Sequence, residues 1–222
     1  KYRVRKYIID SGCREILNEL IAKYNSPEEI DWDVLPDQFA MKISSGCGGN
    51  IICSDKSNLN INKSMKDLKK WMNRKYYLSY SEMQYKGIKP VIIVEKYLTD
   101  NSGKLPVDYK FYCFNGRAEY VMVCIGRELG HPKFYWFNRE WEFVPFEENE
   151  NPKIQKPIKI NEAFEYADKL SKPFPFVRTD LYIINNQIIF GELTFTSAGG
   201  MDKAISQEGL NIMGDMVDLN YR

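Results

Sequence analysis

The chain has 222 residues, 44% hydrophobic and 27% charged, which suits one large domain or two small ones with real cores and excludes a disordered or fibrous chain. Its net charge of +1 points to neither a nucleic-acid partner nor a membrane surface. Five cysteines (Cys13, Cys47, Cys53, Cys113 and Cys124) without C-x-x-C spacing, and a single histidine, His131, argue against a disulfide framework and a zinc site.

Reduced thiols fit a cytoplasmic protein. No apolar run approaches the roughly 18 residues of a membrane helix, and Lys1-Tyr2-Arg3-Val4-Arg5 lacks a signal-peptide core. The first residues read as the middle of an element, so a preceding N-terminal segment is expected. Nothing in the sequence sets an oligomeric state.

In chain order, residues 1–24 read as helical, interrupted at Ser11-Gly12, with Ile16, Leu17, Leu20 and Ile21 at helical spacing. Pro27 and the acidic run that follows make a loop. Residues 39–43 form a short strand, Gly46-x-Gly48-Gly49-Asn50 a glycine-rich turn, and residues 51–53 a returning strand. Ser64 with Asp67 three residues on reads as a helix cap, with Met65, Leu68 and Met72 on one face.

Val91-Ile92-Ile93-Val94 is a continuous apolar run of the buried-strand kind. Residues 108–114 and 117–125 flank Asn115-Gly116, the strongest short hairpin signal. The charged, proline-bearing stretch 145–159 is a loop, and residues 127–157 as a whole read as loops that would carry specificity. Ile160, Ala163, Phe164, Ala167 and Leu170 mark an amphipathic helix. A second hairpin spans residues 176–195, and the chain ends in a helix from Glu208. The class is α+β with antiparallel hairpins.

Three groups of residues carry chemistry. On the last hairpin, Arg178 and Asp180 share one strand face, and Glu192 and Thr194 share a face of the other. A three-residue loop at 185–187 puts Asp180 opposite Glu192. Two carboxylates so placed either belong to a solvated face with Arg178 as counterion or hold a cation between them; hard oxygen ligands suit Mg2+ bound with nucleotide phosphates.

The turn Gly46-x-Gly48-Gly49-Asn50 follows a strand carrying Lys42. It is either a tight hairpin without a ligand or a place where backbone N–H groups approach phosphate, with Lys42 as a point charge. In the central hairpin, counting back from Phe114 opposite Arg117 gives Asp108 and Lys110 a face shared with Val121, Val123, Ile125 and Arg127. These cations either reach solvent at the strand ends or hold a phosphate or a substrate carboxylate.

Taken in order, several blocks resemble the ATP-grasp superfamily, and within it the TupA-like branch linked to teichuronopeptide and capsular polysaccharide synthesis. They are Leu35-Pro36-x-x-Phe39-x-x-Lys42 with Gly46-x-Gly48-Gly49-Asn50-Ile51-Ile52, Glu95-Lys96-Tyr97-Leu98, Asp108-Tyr109-Lys110-Phe111-Tyr112-Cys113-Phe114-Asn115-Gly116, and Phe176-Val177-Arg178-Thr179-Asp180-Leu181-Tyr182 with Phe190-Gly191-Glu192-Leu193-Thr194-Phe195-Thr196. The resemblance covers nearly the whole chain.

It implies an ATP-grasp fold in which two α+β subdomains with antiparallel sheets grip a nucleotide. Residues 1–34 would be an N-terminal helical segment, 35–95 a small lid subdomain and 96–222 the large subdomain carrying the metal site. ATP and Mg2+ are the implied cofactors. Lys42 and the lid turn of Gly46, Gly48, Gly49 and Asn50 would contact phosphates, with Asp108 also in the nucleotide site. Glu95, Lys96, Tyr97 and Leu98 would form the hinge that reads adenine.

Lys110, Arg127 and Arg178 would be the catalytic cations, with Lys110 and Arg127 facing the γ-phosphate and the acyl phosphate. Asp180, Glu192 and Thr194 would hold the metal, and Lys1 and Arg5 sit where such enzymes often carry a further nucleotide-facing cation. Thr194 stands where the usual metal motif has asparagine, and Ser44, Ser45 and Cys47 stand at lid positions where asparagine, histidine and serine are expected.

The implied activity is ADP-forming carboxylate-amine ligation, joining an amine to a uronic acid or similar carboxylate of a glycan precursor, with no nucleic-acid partner and no membrane insertion. A phosphotransferase and a non-catalytic nucleotide-binding subunit are the alternatives.

Overall fold

A computed structural model describes residues 1–78, 82–126, 130–200 and 202–221. The chain forms two compact units, one of Lys1–Arg5 and Asn18–Leu98, the other of Lys6–Leu17 and Thr99–Arg222. Among the described residues, no helix is long and apolar enough to cross a membrane.

The first unit is built on a four-stranded antiparallel sheet in the order β1-β4-β2-β3, where β1 is Leu20–Tyr24, β2 Phe39–Ile43, β3 Asn50–Cys53 and β4 Ile92–Lys96. Strand alternation sends Phe39, Met41, Ile43, Ile92 and Val94 into one core with Leu68 of helix α2 (Ile61–Met72). The opposite face carries Lys42 and Glu95. Two expectations fail here. Residues 20–24, expected to be helical, form an edge strand paired to β4, because ladder partners outweigh a short 3.6-residue periodicity. Ser64 is a buried residue inside α2; the cap is Asn60, whose side chain accepts from the Lys63 N–H at 2.9 Å.

The second unit is built on a six-stranded antiparallel sheet in the order β10-β9-β5-β6-β7-β8. Its strands are β5 (Asp108–Phe114), β6 (Arg117–Ile125), β7 (Lys133–Asn138), β8 (Phe143–Val144), β9 (Phe176–Ile184) and β10 (Gln187–Thr194). Helix α3 (Ile160–Ser171) buries Ile160, Ala163, Phe164, Ala167 and Leu170, and Phe164 meets Phe111 edge-on at 4.9 Å. Helix α1 (Val4–Asp10) is tied to this unit by Tyr7, whose hydroxyl donates to the Leu170 carbonyl at 2.7 Å. Around Tyr112, Phe114, Met122, Trp136 and Phe146 lies an aromatic cluster closed by Met213 of helix α4 (Gln207–Asp215). β7 and β8 fall inside 127–157, expected to be loops; Tyr135, Trp136 and Phe137 supply the aromatic β-formers that the surrounding charge concealed.

Two bulges decide what faces the site. In the β5–β6 hairpin the register slips by one between Tyr112 and Cys113, so Lys110 pairs with Met122 and Asp108 with Cys124. The face expected to hold Val121 and Val123 beside Lys110 therefore holds Met122 and Cys124. The β9–β10 hairpin has a two-residue turn at Asn185 and Asn186, both with positive φ, rather than a three-residue loop. A slip between Phe190 and Glu192 restores the missing residue and brings Glu192 opposite Asp180. Gly191 suits that slip, since a Cβ there would lie 3.0 Å from the Asp180 carbonyl oxygen.

Candidate active site

The expected site residues fall into two clusters, one in each unit. In the first unit, Lys42 and Glu95 lie diagonally across β2 and β4, and Lys42 Nζ reaches Glu95 Oε2 at 2.8 Å. Arg5 reaches Oε1 of the same carboxylate at 3.1 Å and donates to the Asn18 carbonyl at 2.8 Å. The glycine turn continues from Lys42. Gly46 is buried against the Tyr76 ring, its φ is 108°, and its carbonyl accepts from Lys1. Gly48 and Asn50 are exposed, and the Gly49 carbonyl accepts from the Ile43 N–H at 2.9 Å. At the far end of β4, Lys96 is exposed and its carbonyl accepts from Asn18 at 2.9 Å, while Tyr97 and Leu98 are half-buried.

In the second unit, Asp108, Lys110, Arg178, Asp180, Glu192 and Thr194 form one network on a single sheet face. β5 and β9 pair Lys110 directly with Asp180, which gives an Nζ–Oδ2 contact of 2.6 Å; the same ammonium reaches Asp108 at 2.7 Å. Arg178 grips Asp180 with both arms, Nε to Oδ1 at 2.7 Å and Nη2 to Oδ2 at 2.8 Å. Arg178 also lies 3.2 Å from the Thr194 hydroxyl and 3.5 Å from Glu192. Arg127 lies outside the described residues.

The charges respond to this packing. Burial pushes the Asp180 carboxyl upward, but Arg178 and Lys110 overcome it and hold the group below its ordinary range. Burial alone would lower Lys110; Asp180 and Asp108 reverse that and keep its ammonium protonated. Arg178 is raised by the same logic, with Asp180 outweighing burial. Glu192 is the more open carboxylate, with 37% of its side chain exposed.

Two carboxylates on paired residues, a hydroxyl beside them and two fixed cations suit a phosphate-bridged divalent ion better than an all-protein cage. Among the described residues, no group of three or more acidic, histidine or cysteine residues is placed to hold a metal. The donor set therefore fits Mg2+ bound together with nucleotide phosphates.

The family model for TupA-like ATPgrasp matches residues 1–218. This chain belongs to that family. The fold of the TupA-like chain is also similar to that of solved ligase structures. Against a D-alanine–D-alanine ligase from Bacillus anthracis complexed with ATP, the TM-score is 0.59 at 13% identity, over 98% of this chain and 63% of that one. Against the D-alanine–D-alanine ligase from Helicobacter pylori it is 0.53 at 14% identity, over 98% and 60%. This TupA-like chain thus spans about three fifths of the length of the ligases it resembles. No curated protein matches it.

Two polar residues of the second cluster were not singled out in the sequence. Tyr112 sits two residues beyond Lys110 on the same strand face, and Ser197 accepts from Arg178 Nη1 at 2.6 Å just past β10. Period-two alternation from Asp108 and Lys110 is the signal that picks out Tyr112; Ser197 has no such signal, because it lies in a turn.

Proposed function

We propose that this chain carries the nucleotide-binding and phosphoryl-handling body of an ATP- and Mg2+-dependent carboxylate-amine ligase that amidates a uronic acid or similar carboxylate of a surface-glycan precursor. The observation that carries the reading is the buried Lys110–Asp180–Arg178 network, bordered by Glu192 and Thr194. It combines fixed cations with acidic oxygen ligands, as phosphoryl transfer requires.

In this reading a substrate carboxylate oxygen attacks the γ-phosphorus of ATP, and the bond to the β-phosphate oxygen breaks to release ADP. An amine then attacks the acyl carbon of the acyl phosphate, inorganic phosphate leaves and the amine loses a proton. Lys110 and Arg178 offset the negative charge that moves with the phosphoryl group, and Asp108 keeps the Lys110 ammonium aimed. Asp180, Glu192 and Thr194 would hold Mg2+, which supplies charge neutralisation at the phosphate oxygens. In the first unit Lys42 and the turn at 46–50 would contact phosphates, and residues 95–98 would read adenine through backbone groups. Arg127 is proposed as a further cation of the acyl-phosphate site. The work of these residues is positioning and electrostatics.

The test is a Mg2+-dependent ATP titration of wild type beside Asp180→Asn and Glu192→Gln, followed by incubation with hydroxylamine and candidate uronates. Tight binding only with Mg2+, lost in both variants, with hydroxamate formation in wild type, is the expected result. ATP binding with phosphate transfer to a hydroxyl and no hydroxamate would identify a phosphotransferase instead.

A further inference from the structure

The net charge of +1 conceals a local excess of cations on and just after helix α2 of the first unit. Residues 61–75 hold five lysines and Arg74 against a single acidic residue, Asp67. The helices α3 and α4 show no such excess, with three acids to one lysine in the first and two acids to no cation in the second. At 3.6 residues per turn, Lys63, Lys66 and Lys70 fall within a sector of about 60°, and Arg74 continues it past the helix end. All four side chains are exposed, while Ser64 and Leu68 are buried on the other side of the helix. Lys69 is paired with Glu28 at 2.7 Å; Lys63, Lys66 and Lys70 make no ion pair among the described residues.

Helix stability does not account for this stripe. Lys63 lies in the first turn, where the helix dipole disfavours a cation and no acidic residue stands. Lys66 is three residues from Lys63 and four from Lys70, spacings at which like charges repel. Packing requires only the opposite face. Just past the helix, the Leu78 N–H donates to the Lys75 carbonyl at 3.1 Å, and the leucine this turn presents is 69% exposed.

We propose that the α2 stripe, with Leu78 at its end, docks the first unit on a membrane surface rich in anionic phospholipid. Lysines are point charges on flexible stems, suited to the diffuse charge of a headgroup layer more than to one oriented anion. Lys63 and Lys70 are about 10 Å apart along the helix, within one screening length at about 0.1 M salt, so their fields add. Leu78 decides between a lipid surface and a dissolved polyanion: burial at the acyl boundary stabilises it, whereas a polyanion in water offers it nothing. The apolar face of α2 stays in the core of the first unit, so the contact is electrostatic and the helix does not insert. This docking is independent of the ligase reading.

The experiment is sedimentation of the full chain with vesicles of phosphatidylcholine alone or mixed with phosphatidylglycerol. Wild type should bind only the mixed vesicles and should be released as salt rises from about 0.1 M to about 1 M. The triple variant Lys63→Gln/Lys66→Gln/Lys70→Gln should bind about a hundredfold more weakly, at roughly a factor of five per lysine. Its melting temperature should be no lower than that of wild type, since the repulsion along the stripe is gone. Leu78→Ser should weaken vesicle binding about tenfold. Wild type that ignores the mixed vesicles, or a folded triple variant that binds them equally, overturns the docking surface. Binding to soluble polygalacturonate as tight as to vesicles, with Leu78→Ser without effect on either, overturns lipid as the partner and identifies a polyanion. A triple variant that melts below wild type overturns the claim that the stripe is not there for stability; Lys63→Gln alone, expected to weaken vesicle binding about fivefold, then tests the docking.

Discussion

Each unit holds one carboxylate between a lysine and an arginine, yet the two triplets are built differently. In the first unit Glu95 is gripped by Lys42, diagonal on the neighbouring strand, and by Arg5 from the chain's first turn of helix. All three side chains keep some contact with solvent, Lys42 the most at 22%. In the second unit Asp180 is gripped by its direct strand partner Lys110 and by Arg178 two residues away on its own strand, and its side chain is 3% exposed. One triplet is assembled from distant segments, the other from neighbouring strand positions, and the carboxylate of the second is the more deeply buried, 3% exposed against 11% for Glu95. The lesson is that equal contact distances do not mean equal energies, because the cost of stranding a charge grows with its burial.

Breaking the buried triplet should have the largest effect. Asp180→Asn removes the carboxylate that Lys110 and Arg178 share, leaving Lys110 with Asp108 and Arg178 with the more open Glu192, and should cost about 3–4 kcal/mol in urea denaturation. It should also change the acid response. An unfolded aspartate titrates near 3.9, and folded Asp180 titrates lower because Arg178 and Lys110 outweigh burial. Between those values the unfolded chain binds the extra proton, so wild-type stability is complete above about pH 4 and falls as pH drops through the folded value. The asparagine variant should lose that part of the slope, read from denaturation curves between about pH 2 and 5.

The next effect belongs to the glycine turn. Gly46→Ala combines a φ of 108° with a Cβ only 2.5 Å from the Tyr76 ring, and should cost about 2–3 kcal/mol. Glu95→Gln, at the wetter triplet, should cost about 1–2 kcal/mol, since water can reach the cations left behind. A loss equal to that of Asp180→Asn would break the burial contrast drawn above. Smallest is Gly48→Ala, where φ is 78° but a Cβ meets nothing within 4 Å; backbone strain alone predicts about 1 kcal/mol. Thermal melts of the two glycine variants side by side separate strain from collision.

The hairpins show how far local reading carries. Asn115-Gly116 marks its turn because both positions need positive φ, and φ is 50° and 77° there. The pairing of Asp180 with Glu192 was legible too, but the count that led to it placed the extra residue in the loop, whereas it sits in the bulge before Glu192. The bulge beyond Tyr112 had no such compensation, and it exchanges the valines for Met122 and Cys124 on the face of Lys110. A bulge leaves the composition of a strand unchanged, so alternation cannot locate it. Leu20 and Ile21 were misread because a few apolar residues satisfy helix and strand periods alike.

By itself, the sequence determined the α+β class, most strands, the two hairpins and the order of motif blocks that marks a TupA-like ATP-grasp chain, because these depend on side-chain period, turn chemistry and residue order. Tertiary structure alone decided that Lys110 is buried between two aspartates, that Arg5 joins Lys42 on Glu95, and that Tyr112 lies opposite Arg178. Those facts depend on strand register and on segments far apart in the chain, where a one-residue slip reverses which face a side chain occupies.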